Sequence, residues 1–212
     1  MTIFDNFISI GGDCGVGTAL RNLRYKDASY PFDWSITNFQ FILKCFKTDF
    51  KNMFDDLNNI KKDVNGKLTN KEGTIRFYHD YEYNELTESK RRETKNKYKR
   101  RVNRLLSLMR SNKKILFIRK CNDDSVKKLD NLSKIIKSKY PTLSFNILLF
   151  NTLNEKDTEN VTHFQLTEHC FLRFSNGVYH HRHENLYWKG LLEYIKKFPS
   201  TKLYEQPKNR DS

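Results

Sequence analysis

The stretch from Phe7 to Trp34 constrains the fold more than any other. A short apolar run, Phe7-Ile8-Ser9-Ile10, ends in Gly11-Gly12-Asp13-Cys14-Gly15, and Ala19, Leu20 and Leu23 follow at helical spacing. The pattern predicts a strand, a tight glycine turn and a helix. Such a junction sets its turn residues at a helix N-terminus, where unbonded backbone N–H groups and the positive end of the peptide dipoles favour an anion. Cys14 stands in that turn. A thiol so placed ionises more readily than an ordinary cysteine, whose pKa is about 8.5, and the thiolate is the nucleophile. The structural counterpart of this reading is a buried thiol packed beneath a glycine turn.

The remaining periodicities predict an α/β fold: a small, mostly parallel sheet flanked by helices, with a hairpin-like insertion. Ala28 to Trp34 reads as a loop, because Pro31 fixes its own φ and biases Tyr30 to extended geometry. Thr37 or Asn38 can cap a helix through Phe39, Ile42, Leu43 and Phe46, and a second amphipathic piece follows with Phe50, Met53, Phe54 and Leu57. Asn58 to Gly73 is polar and carries the turn pair Asn65-Gly66. Thr74 to Asp80 reads as a strand with Ile75, Phe77 and His79 on one face.

Glu88 to Asn112 reads as a long charged helix with Tyr98, Val102, Leu105, Leu106 and Met109 as its apolar stripe. Lys114 to Arg119, Ser125 to Tyr140 and Phe145 to Phe150 then form a strand-helix-strand unit, hence a parallel pair. Val161 to Leu166 and Cys170 to Phe174 read as shorter strands, and Leu186 to Phe198 as a closing helix. The expectation is one domain over residues 1–200 and a polar tail over residues 201–212.

The net charge of +14 in 212 residues favours acidic partners: nucleic acid, an anionic membrane surface or an acidic protein. Arg92, Arg100, Arg101 and Arg104 on the long helix are the candidate surface. A silent basic binding protein is therefore one alternative to an enzyme, although no nucleic-acid-binding signature accompanies the helix. The four cysteines are widely spaced without a C-x-x-C pair, which argues against a disulfide framework or a cysteine-rich zinc site. No secretory signal and no run of transmembrane length stand out. The expectation is a cytoplasmic protein of a reducing compartment.

A thiol nucleophile needs a base within hydrogen-bond reach, and the base needs a third group to hold its tautomer. Cys14, His79 and either Asp33 or Asp80 supply those types. One of His180, His181 and His183 can take the place of His79. Their spacing does not suit a metal, and neither a metal nor a cofactor is expected. Gly12-Asp13-Cys14 also resembles the Gly-Asp-Ser turn of SGNH-type hydrolases, which implies an esterase with Cys in place of Ser; no Asp-x-x-His follows near the C-terminus.

A second resemblance covers more of the chain. Ser9-Ile10-Gly11, Cys14, Ala19-Leu20-Arg21 and Ser29-Tyr30-Pro31-Phe32-Asp33-Trp34 occur in order. Phe77-Tyr78-His79-Asp80, Arg100-Arg101-Val102 and Lys114-Ile115-Leu116-Phe117-Ile118-Arg119 follow them. The series resembles the family described as putative papain-like cysteine peptidases, found in bacteria and large DNA viruses. The resemblance implies a cysteine hydrolase acting on a polypeptide substrate. It makes Cys14 the nucleophile, His79 the base, and Asp33 or Asp80 the orienting carboxylate. Backbone N–H groups at Gly12, Gly15 and Gly17 would then stabilise the oxyanion.

Overall fold

The computed structural model describes residues 3–64, 66–77, 79–81, 86–121, 124–151, 154–165, 195 and 197. Four strands form a parallel sheet: β1 (Asn6–Ser9), β6 (Lys114–Lys120), β7 (Ser144–Asn151) and β8 (Val161–Gln165), in the order β1-β6-β7-β8. Four two-residue strands form a small antiparallel sheet: β2 (Ile36–Thr37), β3 (Lys61–Lys62), β4 (Leu68–Thr69) and β5 (Ile75–Arg76), in the order β2-β5-β4-β3. The helices are α1 (Gly15–Asn22), α2 (Phe39–Lys47), α3 (Lys51–Asn58), α4 (Glu88–Met109) and α5 (Val126–Lys139).

Alternation along the parallel strands divides the core between the two sheet faces. Ile8, Ile115, Phe117, Ile147 and Leu149 pack with α2, α3, α4 and α5. Phe7, Leu116, Ile118, Leu148 and Phe150 pack instead with Val16, Ala19 and Leu20 of α1, and with Ile195. A sheet covered on both faces needs strands apolar on both sides, which is why β6 and β7 read as continuous hydrophobic runs.

The helix starts follow from side-chain caps. Asn38 accepts from Phe41 N–H, Thr87 from Lys90 N–H and Ser125 from Lys128 N–H. Of the two caps expected for α2, Asn38 holds the position.

The strand expected over Thr74 to Asp80 is shorter than its alternation suggests. β5 stops at Arg76; Phe77 is buried, and His79 is exposed in the turn that follows. Asp80 is drawn onto α4 by Tyr98 and Lys97, which takes the chain away from the sheet. The expected strand Cys170 to Phe174, the tail over residues 201–212, and His180, His181 and His183 lie outside the described residues, as does the closing helix except for Ile195 and Lys197. Among the described residues no helix is long and apolar enough to cross a membrane, and no group of three His, Cys, Asp or Glu gathers that could hold a metal.

Candidate active site

The β1–α1 turn sits outside the carboxyl end of the parallel sheet, the edge at which open α/β sheets bind ligands. Gly12 has φ +98°, and a Cβ there would meet the Lys120 carbonyl oxygen at 1.5 Å. Only glycine fits at that point of the turn. Gly12 N–H donates to Thr37 Oγ1 at 3.2 Å, and its carbonyl accepts Thr37 N–H at 3.2 Å. The turn is thereby clamped between β6 and β2.

Asp13 performs the capping that Cys14 does not. Its Oδ1 accepts Gly15 N–H at 2.8 Å, while Lys120 Nζ donates to Oδ2 at 2.5 Å. Cys14 is the residue immediately before α1, in helical geometry and half-buried. Its carbonyl accepts both Thr18 N–H at 3.0 Å and Thr18 Oγ1–H at 3.1 Å. The thiol therefore leaves from the first turn of a helix whose end is fixed on both sides. This engagement also corrects one expectation: the N–H groups of Gly12 and Gly15 already serve Thr37 and Asp13.

The Pro-Phe-Asp-Trp loop packs directly on α1. A Cβ at Gly17 would lie 2.5 Å from the Asp33 carbonyl oxygen, so the absent side chain sets the approach. Asp33 is fully buried. Its Oδ2 accepts Lys26 Nζ at 2.5 Å and Tyr30 N–H at 2.8 Å, and its buried Oδ1 has no hydrogen-bond partner. Burial pulls the Lys26 ammonium below its ordinary range, and the Asp33 charge and hydrogen bond oppose that pull. Trp34 Nε1–H donates to Ser29 Oγ at 3.0 Å; the Arg21 guanidinium lies over the indole, 4.6 Å from its centroid, and Lys26 Nζ is 5.2 Å away. The His79 ring meets Trp34 edge-on, with centroids 5.9 Å apart and planes at 73°. His79 thus touches the loop through Trp34, and the Asp33 carboxylate holds Lys26 and the loop backbone, not the imidazole. The expected Asp33–His79 hydrogen bond does not form here.

Asp80, the other expected carboxylate, is also buried. Tyr98 O–H donates to its Oδ2 at 2.8 Å and Lys97 Nζ to its Oδ1 at 3.1 Å, with Arg101 Nη1 at 3.9 Å. It fastens the His79 turn to α4. Several cations of α4 are likewise tied to the fold. Arg91 donates to the Asn58 and Ile60 carbonyls, Lys95 to Asn58 Oδ1, and Arg104 to the Ser29 carbonyl. Of the expected basic surface, Arg92, Arg100 and Arg104 are exposed, Arg104 also bracing the loop before Trp34, whereas Arg101 faces Asp80.

Three residues escaped sequence reasoning. Lys120 and Lys26 carry no motif. Arg119 is the penultimate residue of the apolar strand β6 and is wholly buried. It pairs through Nε with Asp124 and donates to the Ile10 carbonyl at 2.9 Å and the Thr37 carbonyl at 3.2 Å. Beyond it, Asn151 Nδ2 donates to the Asp124 carbonyl at 2.6 Å, and its Oδ1 lies 2.7 Å from His163 Nε2. The only available signal was a charged residue at the end of a buried-type strand.

Residues 5–155 match the family described as "Putative papain-like cysteine peptidase". The chain belongs to this family. A relative from Acanthamoeba polyphaga mimivirus, an uncharacterized protein, is 31% identical over 177 residues, spanning 70% of this chain and 79% of its own. No solved structure matches. The segment matched by the family contains Cys14, Asp33, His79 and Asp80, and His79 is the sole histidine within it.

Proposed function

We propose that this chain is a cysteine hydrolase that cleaves an amide bond of a polypeptide, as a peptidase or isopeptidase. Cys14 is the nucleophile and His79 the general base. The observation that carries this reading is the position of Cys14, half-buried at the first turn of α1 and at the carboxyl edge of the parallel sheet. Family membership supports the reaction class. His79 is favoured as base because it is the histidine within the matched segment and because it rests on Trp34 of the loop packed against α1.

In the proposed cycle the Cys14 sulfur attacks the carbonyl carbon and its proton passes to His79. The oxygen charge that develops is met by the N–H groups of Val16 and Gly17. The C–N bond then breaks, the amine leaves with the proton from His79, and water hydrolyses the thioester to regenerate the thiol. Asp33 acts on the loop, not on the imidazole: with Lys26 it fixes the backbone that carries Trp34.

The test is turnover of fluorogenic peptide and ε-lysyl isopeptide panels by wild type, Cys14→Ala and His79→Ala. Cys14→Ala is expected to abolish turnover, and His79→Ala to reduce it roughly 100- to 10,000-fold. Undiminished turnover by Cys14→Ala overturns the reading; undiminished turnover by His79→Ala removes His79 as the base.

A further inference from the structure

The turn that carries Cys14 contains an electrostatic conflict. Asp13 is needed to accept Gly15 N–H, yet it puts a carboxylate on the residue next to the thiol. A neighbouring anion disfavours a thiolate. Lys120 Nζ, at 2.5 Å from Asp13 Oδ2, neutralises that carboxylate from the end of β6. The pair is partly shielded from water, with side chains 15% and 29% exposed, so its field is screened less than that of a surface pair.

We propose that Lys120 is a positioning residue for the nucleophile: it cancels the Asp13 charge and locks the Asp13 cap, so that Cys14 is held at the helix start and ionises there. The inference rests on Cys14 being the nucleophile. It connects residues 107 positions apart that meet only because β1 and β6 are neighbours in the sheet.

Other charged and titratable groups surround the turn. Arg119 on β6 pairs with Asp124, Asp33 in the loop before β2 pairs with Lys26, and Arg21 on α1 lies over Trp34. His79 rests on the same indole, and Cys121 follows Lys120 at the end of β6. Among these, Lys120 is the cation bonded to the neighbour of the thiol.

The test is the rate of Cys14 alkylation by iodoacetamide, resolved by mass spectrometry, as a function of pH in folded full-length protein. Lys120→Met leaves Asp13 uncompensated. Its half-maximal pH is expected to rise by about one unit, equivalent to roughly tenfold slower alkylation on the acidic side. Lys120→Arg is expected to retain the wild-type profile. Asp13→Asn keeps the acceptor for Gly15 N–H but removes the anion, so its profile moves to lower pH. The double variant Asp13→Asn with Lys120→Met returns to near wild type, which a merely structural role for Lys120 does not predict. Should Lys120→Met fail to fold, the sign of the Asp13→Asn shift decides the matter. Profiles of Lys120→Met or Asp13→Asn that coincide with wild type overturn the proposal. A wild-type Cys14 that does not react below the range of ordinary thiols overturns instead the reading on which it rests.

Discussion

Lys26 Nζ lies 2.5 Å from Asp33 Oδ2, with the two side chains only 4% and 0% exposed. This closed ion pair fixes the Pro-Phe-Asp-Trp loop beside α1. Removing one partner of a buried pair leaves an uncompensated charge and costs about 3–5 kcal/mol. Lys26→Met is therefore expected to lower the urea midpoint by a corresponding amount. Adding Asp33→Asn is expected to recover part of that loss, because the amide oxygen still accepts Tyr30 N–H and no buried charge remains. A Lys26→Met variant as stable as wild type contradicts this role.

Glycine at position 17 sets how closely α1 approaches the loop. Alanine there gains up to about 1 kcal/mol in helix propensity. Its Cβ would lie 2.5 Å from the Asp33 backbone oxygen, a contact that no side-chain rotation relieves. Overpacking of this kind costs about 1–3 kcal/mol. Gly17→Ala is accordingly expected to lower Tm and slow Cys14 alkylation. Gly12→Ala, with φ +98° and the Lys120 oxygen at 1.5 Å, is expected to be the more damaging change.

Asp80 holds the His79 turn on α4 through Tyr98 and Lys97. Asp80→Ala leaves the buried Tyr98 hydroxyl without that acceptor, at a cost of about 1–3 kcal/mol. The alkylation rate of Cys14 is expected to stay within about twofold of wild type at temperatures where the variant is folded. A loss of reactivity at unchanged stability would make Asp80 part of the site.

Asp49 offers a pH signature. Burial raises its carboxyl, but hydrogen bonds from Lys139 and Tyr140 and the Lys139 charge outweigh that, and the net shift is below the ordinary 3.8. A carboxyl depressed in the native state contributes stability above its unfolded value and loses it as the pH falls through the native one. The pair is partly exposed, so Asp49→Asn is expected to cost at most about 1 kcal/mol near neutral pH. The difference from wild type should shrink below about pH 4 in denaturant titrations. A difference that grows on acidification contradicts the assignment. Asparagine tolerates the positive φ of 49° at this position.

Much of this architecture was legible because local pattern and burial agree. The strand-turn-helix around Cys14, the capped starts of α2, α4 and α5, and the apolar strands β6 and β7 all carry period, cap or composition signals. The short antiparallel sheet does not, since two-residue strands have too few positions to show alternation. His79 was read as the end of a strand because Ile75 and Phe77 alternate correctly; the pull of Asp80 toward α4 depends on residues seventeen and eighteen positions away. The basic helix showed its charge but not its partners, because Arg91 and Arg104 reach backbone carbonyls that no sequence pattern marks. At the site, types were readable and pairings were not. Asp33 reads from the sequence as a loop carboxylate, but its burial, Lys26 as its partner and Lys120 as the partner of Asp13 emerge only from the fold.

Cys14 is the proposed nucleophile, and its reactivity tests that role. The most direct measurement is competitive alkylation of the native protein by iodoacetamide at neutral pH, with each cysteine read separately by mass spectrometry. Cys14 is expected to react at least about ten times faster than Cys45, Cys121 and Cys170, as befits a thiol at a helix start. Cys45 is buried, and burial pushes its thiol up, so it serves as the inert internal standard. A Cys14 that reacts no faster than Cys45 contradicts the account.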